Sequence, residues 1–163
     1  PLLSARDYQR AINTSTRPSP SLYRSLVLSL VAAGMEFAEE AIEAVDEGLS
    51  HFAGEISLLG LGVDVSLSQQ NTQRAQHYFE TVQSRLRVLP QWQFRQVILT
   101  CVKGDVEMAA EHFSLMLAGL QGDGSQRAGS WEPPLDVITR LAASASVDEC
   151  SRTAWEILRK QQP

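Results

Sequence analysis

The sequence predicts an all-α fold, a single α-solenoid of antiparallel helix hairpins spanning residues 1–163. Apolar residues between positions 20 and 33 recur at helical rather than strand spacing. One small residue anchors the second helix of each expected hairpin: Ala38, Ala75, Ala109 and Cys150. The steps of 37, 34 and 41 residues between them are typical of helical repeats. Four hairpins are therefore expected, at about residues 20–48, 55–87, 91–119 and 134–160.

The N-terminal part of the chain predicts one helix without its hairpin partner, over residues 2–14. Its expected inner stripe consists of Leu3, Tyr8, Ala11 and Ile12. A turn follows at residues 14–20, where prolines stop the helix. The chain begins at Pro1 with what looks like the end of a hairpin, so we expect an excerpt of a longer protein or a processed chain.

The first complete hairpin is the clearest part of the sequence. Its helices are expected to meet at Gly34, in the left-handed conformation that glycine adopts at low cost. The second helix is expected from about Met35 to Gly48, which supplies its stop. Its outward residues are acidic: Glu36, Glu39, Glu40, Glu43, Asp46 and Glu47. This row is most simply a solvated helix face, and a face for a basic partner is the alternative.

Residues 49–70 are harder to interpret because they contain three glycines. We expect a short, degenerate first helix followed by a loop. A short edge strand is the alternative, since apolar and polar residues alternate between Val63 and Ser68.

The rest of the chain returns to helical patterns. A helix is expected from Asn71 to Arg87, capped by Asn71 or by the next residue, and Pro90 marks a break. The third hairpin begins at Trp92, and Asp105 caps its second helix. A polar loop at 121–129 precedes the last hairpin.

The composition excludes several classes of function. The net charge of −5, from 14 Lys+Arg and 19 Asp+Glu, argues against a generally basic surface coated with nucleic acid. No apolar run approaches the ~20 residues that a membrane span needs. The two cysteines, Cys101 and Cys150, are expected to be reduced core residues without a disulfide.

No motif points to catalysis. The histidines at positions 51, 77 and 112 lack the spacing of a zinc site, and neither cysteine belongs to a CxxC pair. Phosphate-binding and nucleophile motifs are also missing from the sequence. We therefore expect a protein that is not an enzyme, with no metal, no cofactor and no small-molecule substrate.

Residues 21–41 resemble a pentatricopeptide repeat. That family has an aromatic residue early in the first helix, a leucine three positions later, a glycine at the bend and an alanine in the second helix. The matching residues are Tyr23, Leu26, Gly34 and Ala38. Tetratricopeptide repeats share the bend and the small residues. A protein-interaction scaffold of that type, without RNA contact, is therefore the alternative.

The resemblance implies binding of single-stranded RNA, one base per repeat. The main base-reading position, two residues after the aromatic, is Ser25 in the first hairpin. In the third hairpin it is Gln96, or Arg95 if the alignment slips by one. Arginines of the first helices would line the inner groove and neutralise phosphates: Arg24, Arg95 and Arg140. We expect Arg24 and Arg95 to be surface residues. Solubilising arginines without a ligand explain the same pattern equally well.

The resemblance also implies an organellar protein of RNA metabolism. Its partners would be RNA or the protein subunits of a ribonucleoprotein, such as an RNA-processing complex or a ribosome. The mitochondrial matrix is the implied location, with the plastid or the cytoplasm as alternatives. The second hairpin departs from the family pattern because its first helix is not recognisable. An array that holds RNA by shape, or that holds other proteins, is at least as compatible with the sequence as base-by-base reading.

Overall fold

The structure, a computed structural model, describes residues 2–122, apart from the side chains at positions 106, 110 and 117–122. Every regular element in this part of the chain is helical, which confirms the all-α prediction there. Short 3-10 turns occur at Met35–Phe37 and Ser84–Leu86. The α-helices are α1 (Leu2–Thr14), α2 (Pro20–Ala33), α3 (Ala38–His51), α4 (Ile56–Ser68), α5 (Thr72–Thr81), α6 (Pro90–Val102) and α7 (Val106–Gly122). The expected last hairpin, with Arg140 and Cys150, lies outside the described residues.

Neighbouring helices pack in sequence order. Helix α2 contacts both α1 and α3, α4 contacts α5, and α6 contacts α7. Helix α4 also contacts α2 on one side and α6 on the other. One continuous apolar core runs through these contacts. Helix α4 therefore lies at the centre of the described fold.

Helix α4 corrects the expectation of a short helix and loop, or of an edge strand, in this region. All residues from 58 to 68 are buried and most of them are apolar, as expected for a helix that is packed on every side. Its glycines make room for neighbouring side chains. A Cβ at Gly60 would lie 3.2 Å from Arg95 Nη2, and one at Gly62 would lie 2.8 Å from Tyr78 Cδ2.

The glycines of the first hairpin also differ from expectation. Gly34 has φ 145° and ψ 169°, outside the left-handed helical region that we predicted, and its N–H donates to the Leu30 carbonyl. Gly48 does not stop α3, which continues to His51. A Cβ at Gly48 would lie 2.8 Å from Leu58 Cδ1 and 3.0 Å from Tyr23 Cγ. Gly48 therefore allows α3 to approach α2 and α4 closely.

The predicted helix caps are confirmed, whereas one helix end is not. The Asn71 side chain accepts a hydrogen bond from the Arg74 N–H at 3.0 Å, and Asp105 accepts one from the Met108 N–H at 3.1 Å. Helix α5 ends at Thr81 instead of continuing to Arg87. Pro90 is the first residue of α6, a position where the missing N–H costs no intrahelical hydrogen bond.

Two further expectations about the core are wrong. Leu3, which we expected on the inner stripe of α1, is 77% exposed, and Ala5 is buried instead. Cys101 is buried, as expected, but it is disulfide-bonded rather than a free thiol.

Candidate functional site

The four residues predicted to bind RNA that the structure describes, Arg24, Ser25, Arg95 and Gln96, differ in exposure. Arg24 is exposed on α2 and forms no ion pair with any residue that the structure describes. Ser25, the next residue, is partly buried. Between positions 58 and 68, helix α4 offers no exposed side chain, so this stretch of the second hairpin contributes no residue that could read a base.

Arg95 is not the surface arginine that the sequence suggested. Its Nε and Nη2 donate to the two carboxylate oxygens of Asp64 at 2.8 and 2.6 Å. The Arg95 side chain is 11% exposed and that of Asp64 is 1% exposed. The guanidinium also donates to the Gln91 carbonyl at 3.1 Å and lies 5.0 Å from the centre of the Trp92 ring. Arg95 therefore joins α6 to α4 and is not available as a phosphate ligand.

Sequence reasoning missed the role of Asp64. The available signal was an acidic residue between two apolar ones, Val63 and Val65, in a segment without other charges. A buried carboxylate needs a partner, and the partner lies 31 residues further along the chain.

Gln96 lines a small cavity between α5, α6 and α7. The cavity has a volume of about 250 Å³ and is lined by Phe79, Arg87, Gln93, Gln96, His112 and Leu115. Arg87 lies over the Phe79 ring at 5.6 Å and donates to backbone carbonyls of the preceding residues. The Gln96 amide lies 3.3 Å from the Thr100 hydroxyl. Of the predicted base-reading residues, Gln96 is the one beside a polar cavity with an aromatic wall.

Three acidic residues of α3 bind neighbouring helices, and one of them, Glu47, also lines a groove beside α3. Glu39 pairs with Arg74 of α5 at 3.1 Å. Asp46 accepts a hydrogen bond from the Tyr78 hydroxyl at 2.5 Å, and Glu47 accepts one from the Tyr23 hydroxyl at 3.2 Å. Burial, together with the nearby carboxylate, raises the pKa of each tyrosine above 10.0.

Glu40, Glu43 and Glu47 face a groove between α1 and α3, with α2 as its floor. We name this cavity of about 590 Å³ the acidic groove; its lining comprises Leu2, Ala5, Arg6, Gln9, Leu26, Leu30, Phe37, Glu40, Glu43, Ala44 and Glu47. Three carboxylates lie on its α3 wall, against one arginine on α1. The groove thus combines a negative wall with an apolar floor. The sequence predicted the acidic face of α3 but not the groove beside it.

Neither a metal centre nor a membrane segment is found in residues 2–122. No cluster of three or more His, Cys, Asp or Glu side chains there could hold a metal ion. No helix in the same range is long and apolar enough to cross a membrane.

No family model, no curated protein and no solved structure matches the chain. The acidic groove is therefore defined as a candidate site by its geometry and charge alone.

Proposed function

We propose that this protein is a non-catalytic helical scaffold that binds another protein through the acidic groove. The observation that carries the proposal is the groove itself, in which Glu40 and Glu43 face solvent beside apolar side chains. Such a surface repels the phosphates of RNA and suits a protein with complementary charge. The burial of α4 from position 58 to 68 supports the same choice, because an RNA groove needs exposed side chains on successive first helices.

We also propose that the helices continue as a solenoid of hairpins. The packing of α2, α4 and α6 in a row supports this arrangement, as does the packing of α3, α5 and α7 against their preceding helices. In such a stack each hairpin contacts only its neighbours. A scaffold of this kind offers its partner a surface of packed helices rather than a catalytic pocket.

RNA binding is the second candidate function, and two observations favour it. Arg24 is exposed and unpaired within residues 2–122, so it is available to a phosphate. Gln96 lies beside the cavity that Phe79 and Arg87 line, and bases stack on aromatic and guanidinium groups. Both candidates fit a subunit of an organellar ribonucleoprotein, which the resemblance to pentatricopeptide repeats suggests.

The proposed location is the mitochondrial matrix, and it rests on that resemblance alone. The disulfide at Cys101 does not favour this location, since disulfides persist in oxidising compartments. Labelling of protein thiols in intact organelles, with and without prior reduction, would reveal whether Cys101 is oxidised in the cell.

Crosslinking in native extract tests the choice between the two functions, with ultraviolet light used to form RNA adducts and an amine-reactive bifunctional reagent used to form protein adducts. The scaffold proposal expects protein adducts that remain after nuclease treatment. Adducts that consist only of RNA would contradict it and favour the second candidate.

A further inference from the structure

Two glutamates of the acidic groove are not used by the fold. Glu40 and Glu43 form no hydrogen bond or ion pair within residues 2–122, whereas Glu39 and Asp46 on the same helix each bind a neighbouring helix. Glu47 follows one turn after Glu43 and also lines the groove. Residues at this spacing share one helix face and form a wall about 10 Å long.

The other sides of the groove are mainly apolar. Leu2 of α1 is 42% exposed at the rim, Phe37 is partly exposed, and the buried Leu26 and Leu30 form the floor. Arg6 is the one basic residue in the lining. A complementary ligand needs several cations along one edge and apolar groups along another.

We propose that the acidic groove binds a basic amphipathic helix of a partner protein. A groove between two helices above a third is the setting in which an amphipathic helix docks through residues spaced i, i+3 or i+4, and i+7. Lysines or arginines at this spacing pair with Glu40, Glu43 and Glu47, while apolar residues contact Leu2 and Phe37. The inference rests on the proposed scaffold function and names the chemistry of the partner.

A helical peptide of leucine and lysine, about 18 residues long, is a direct probe of the groove. Fluorescence anisotropy measures its binding to the full chain, and a leucine–glutamate peptide with the same apolar face is the peptide control. We expect saturable binding of the lysine peptide that weakens as salt rises from about 50 to 200 mM. Equal binding of the glutamate peptide, or no saturable binding of the lysine peptide, would overturn the inference.

Matched variants locate the binding site. Glu40→Gln with Glu43→Gln removes two carboxylates from the groove. Glu107→Gln with Glu111→Gln removes two exposed carboxylates from α7. We expect the first double variant to bind the lysine peptide about threefold to tenfold more weakly, and the second to bind it with nearly unchanged affinity. Equal losses in both variants would show attraction to overall negative charge and would contradict a groove site.

Photoreactive residues placed at position 9 or at position 111 show whether the groove inference fails alone or together with the scaffold proposal. Gln9 lines the groove, whereas Glu111 lies on α7. Protein adducts in extract from position 111 but not from position 9 would contradict the groove inference and retain the scaffold. RNA adducts alone, from either position, would contradict both.

Discussion

The largest loss of stability is predicted for substitutions in the buried ion pair between Asp64 and Arg95. The pair joins α4 to α6 through two charge-assisted hydrogen bonds of 2.6 and 2.8 Å. Removing one partner from a buried ion pair costs about 3–5 kcal/mol. We therefore expect Asp64→Asn and Arg95→Met each to destabilise the protein strongly.

The exposed fractions of the two side chains determine which substitution lowers the free energy of unfolding more. Arg95 is 11% exposed and retains the Gln91 carbonyl as an acceptor, so Asp64→Asn should lie near the lower value, about 3 kcal/mol. Asp64 is 1% exposed, so Arg95→Met strands a carboxylate that water cannot reach and should cost about 5 kcal/mol. For a chain of this size, these losses lower Tm by about 6–20 °C.

Urea and thermal unfolding followed by circular dichroism measure the effect, and a double-mutant cycle compares Asp64→Leu, Arg95→Met and the two combined. Because an apolar pair avoids the cost of desolvating two charges, the double variant should be more stable than either single variant. The exposed pair between Glu39 and Arg74 is the control, and Glu39→Gln should cost less than about 1 kcal/mol. If each single variant lowers the free energy of unfolding by less than about 1 kcal/mol, the pair is not a buried ion pair. If the loss in the double variant equals the sum of the two single losses, the two side chains are not coupled.

Three further predictions concern single side chains. Tyr78 holds its proton more tightly in the folded than in the unfolded protein, so stability should fall as pH rises above about 10; Tyr78→Phe should reduce this fall in alkaline melts. Gly62→Ala should cost about 1–3 kcal/mol in urea unfolding because its methyl group would overlap the Tyr78 ring. Asn71→Ala should cost about 1 kcal/mol through loss of the helix cap at the Arg74 N–H, whereas Asn71→Asp should retain most of the stability.

Local sequence patterns predicted the helices whose faces are amphipathic and whose ends carry capping side chains. Helix α1 runs over residues 2–14 as expected, and both Asn71 and Asp105 cap helices. Only a short first part of helix α4 was predicted, because the helix is packed on all sides and its polar residues are buried, so no solvent-facing side reveals a period of 3.6. Its glycines suggested a loop, whereas their role is to admit the side chains of Arg95 and Tyr78.

The candidate site was predicted only in part, because contacts between helices that are distant in sequence leave no local sequence pattern. The acidic face of α3 is visible in the sequence, but which carboxylates are free depends on contacts with other helices. Asp46 and Tyr78 are 32 residues apart, and Asp64 and Arg95 are 31 apart. No local pattern separates an exposed arginine such as Arg24 from a buried one such as Arg95.

Titration of a labelled, mixed-sequence single-stranded RNA distinguishes the two candidate functions, because the acidic groove is proposed to bind a protein and repels phosphates. At physiological salt we expect no saturable binding up to about 10 µM protein, a concentration at which even nonspecific nucleic-acid-binding proteins begin to bind. Saturable binding that weakens steeply with salt and is lost in Arg24→Glu would contradict the proposed scaffold function and favour RNA binding.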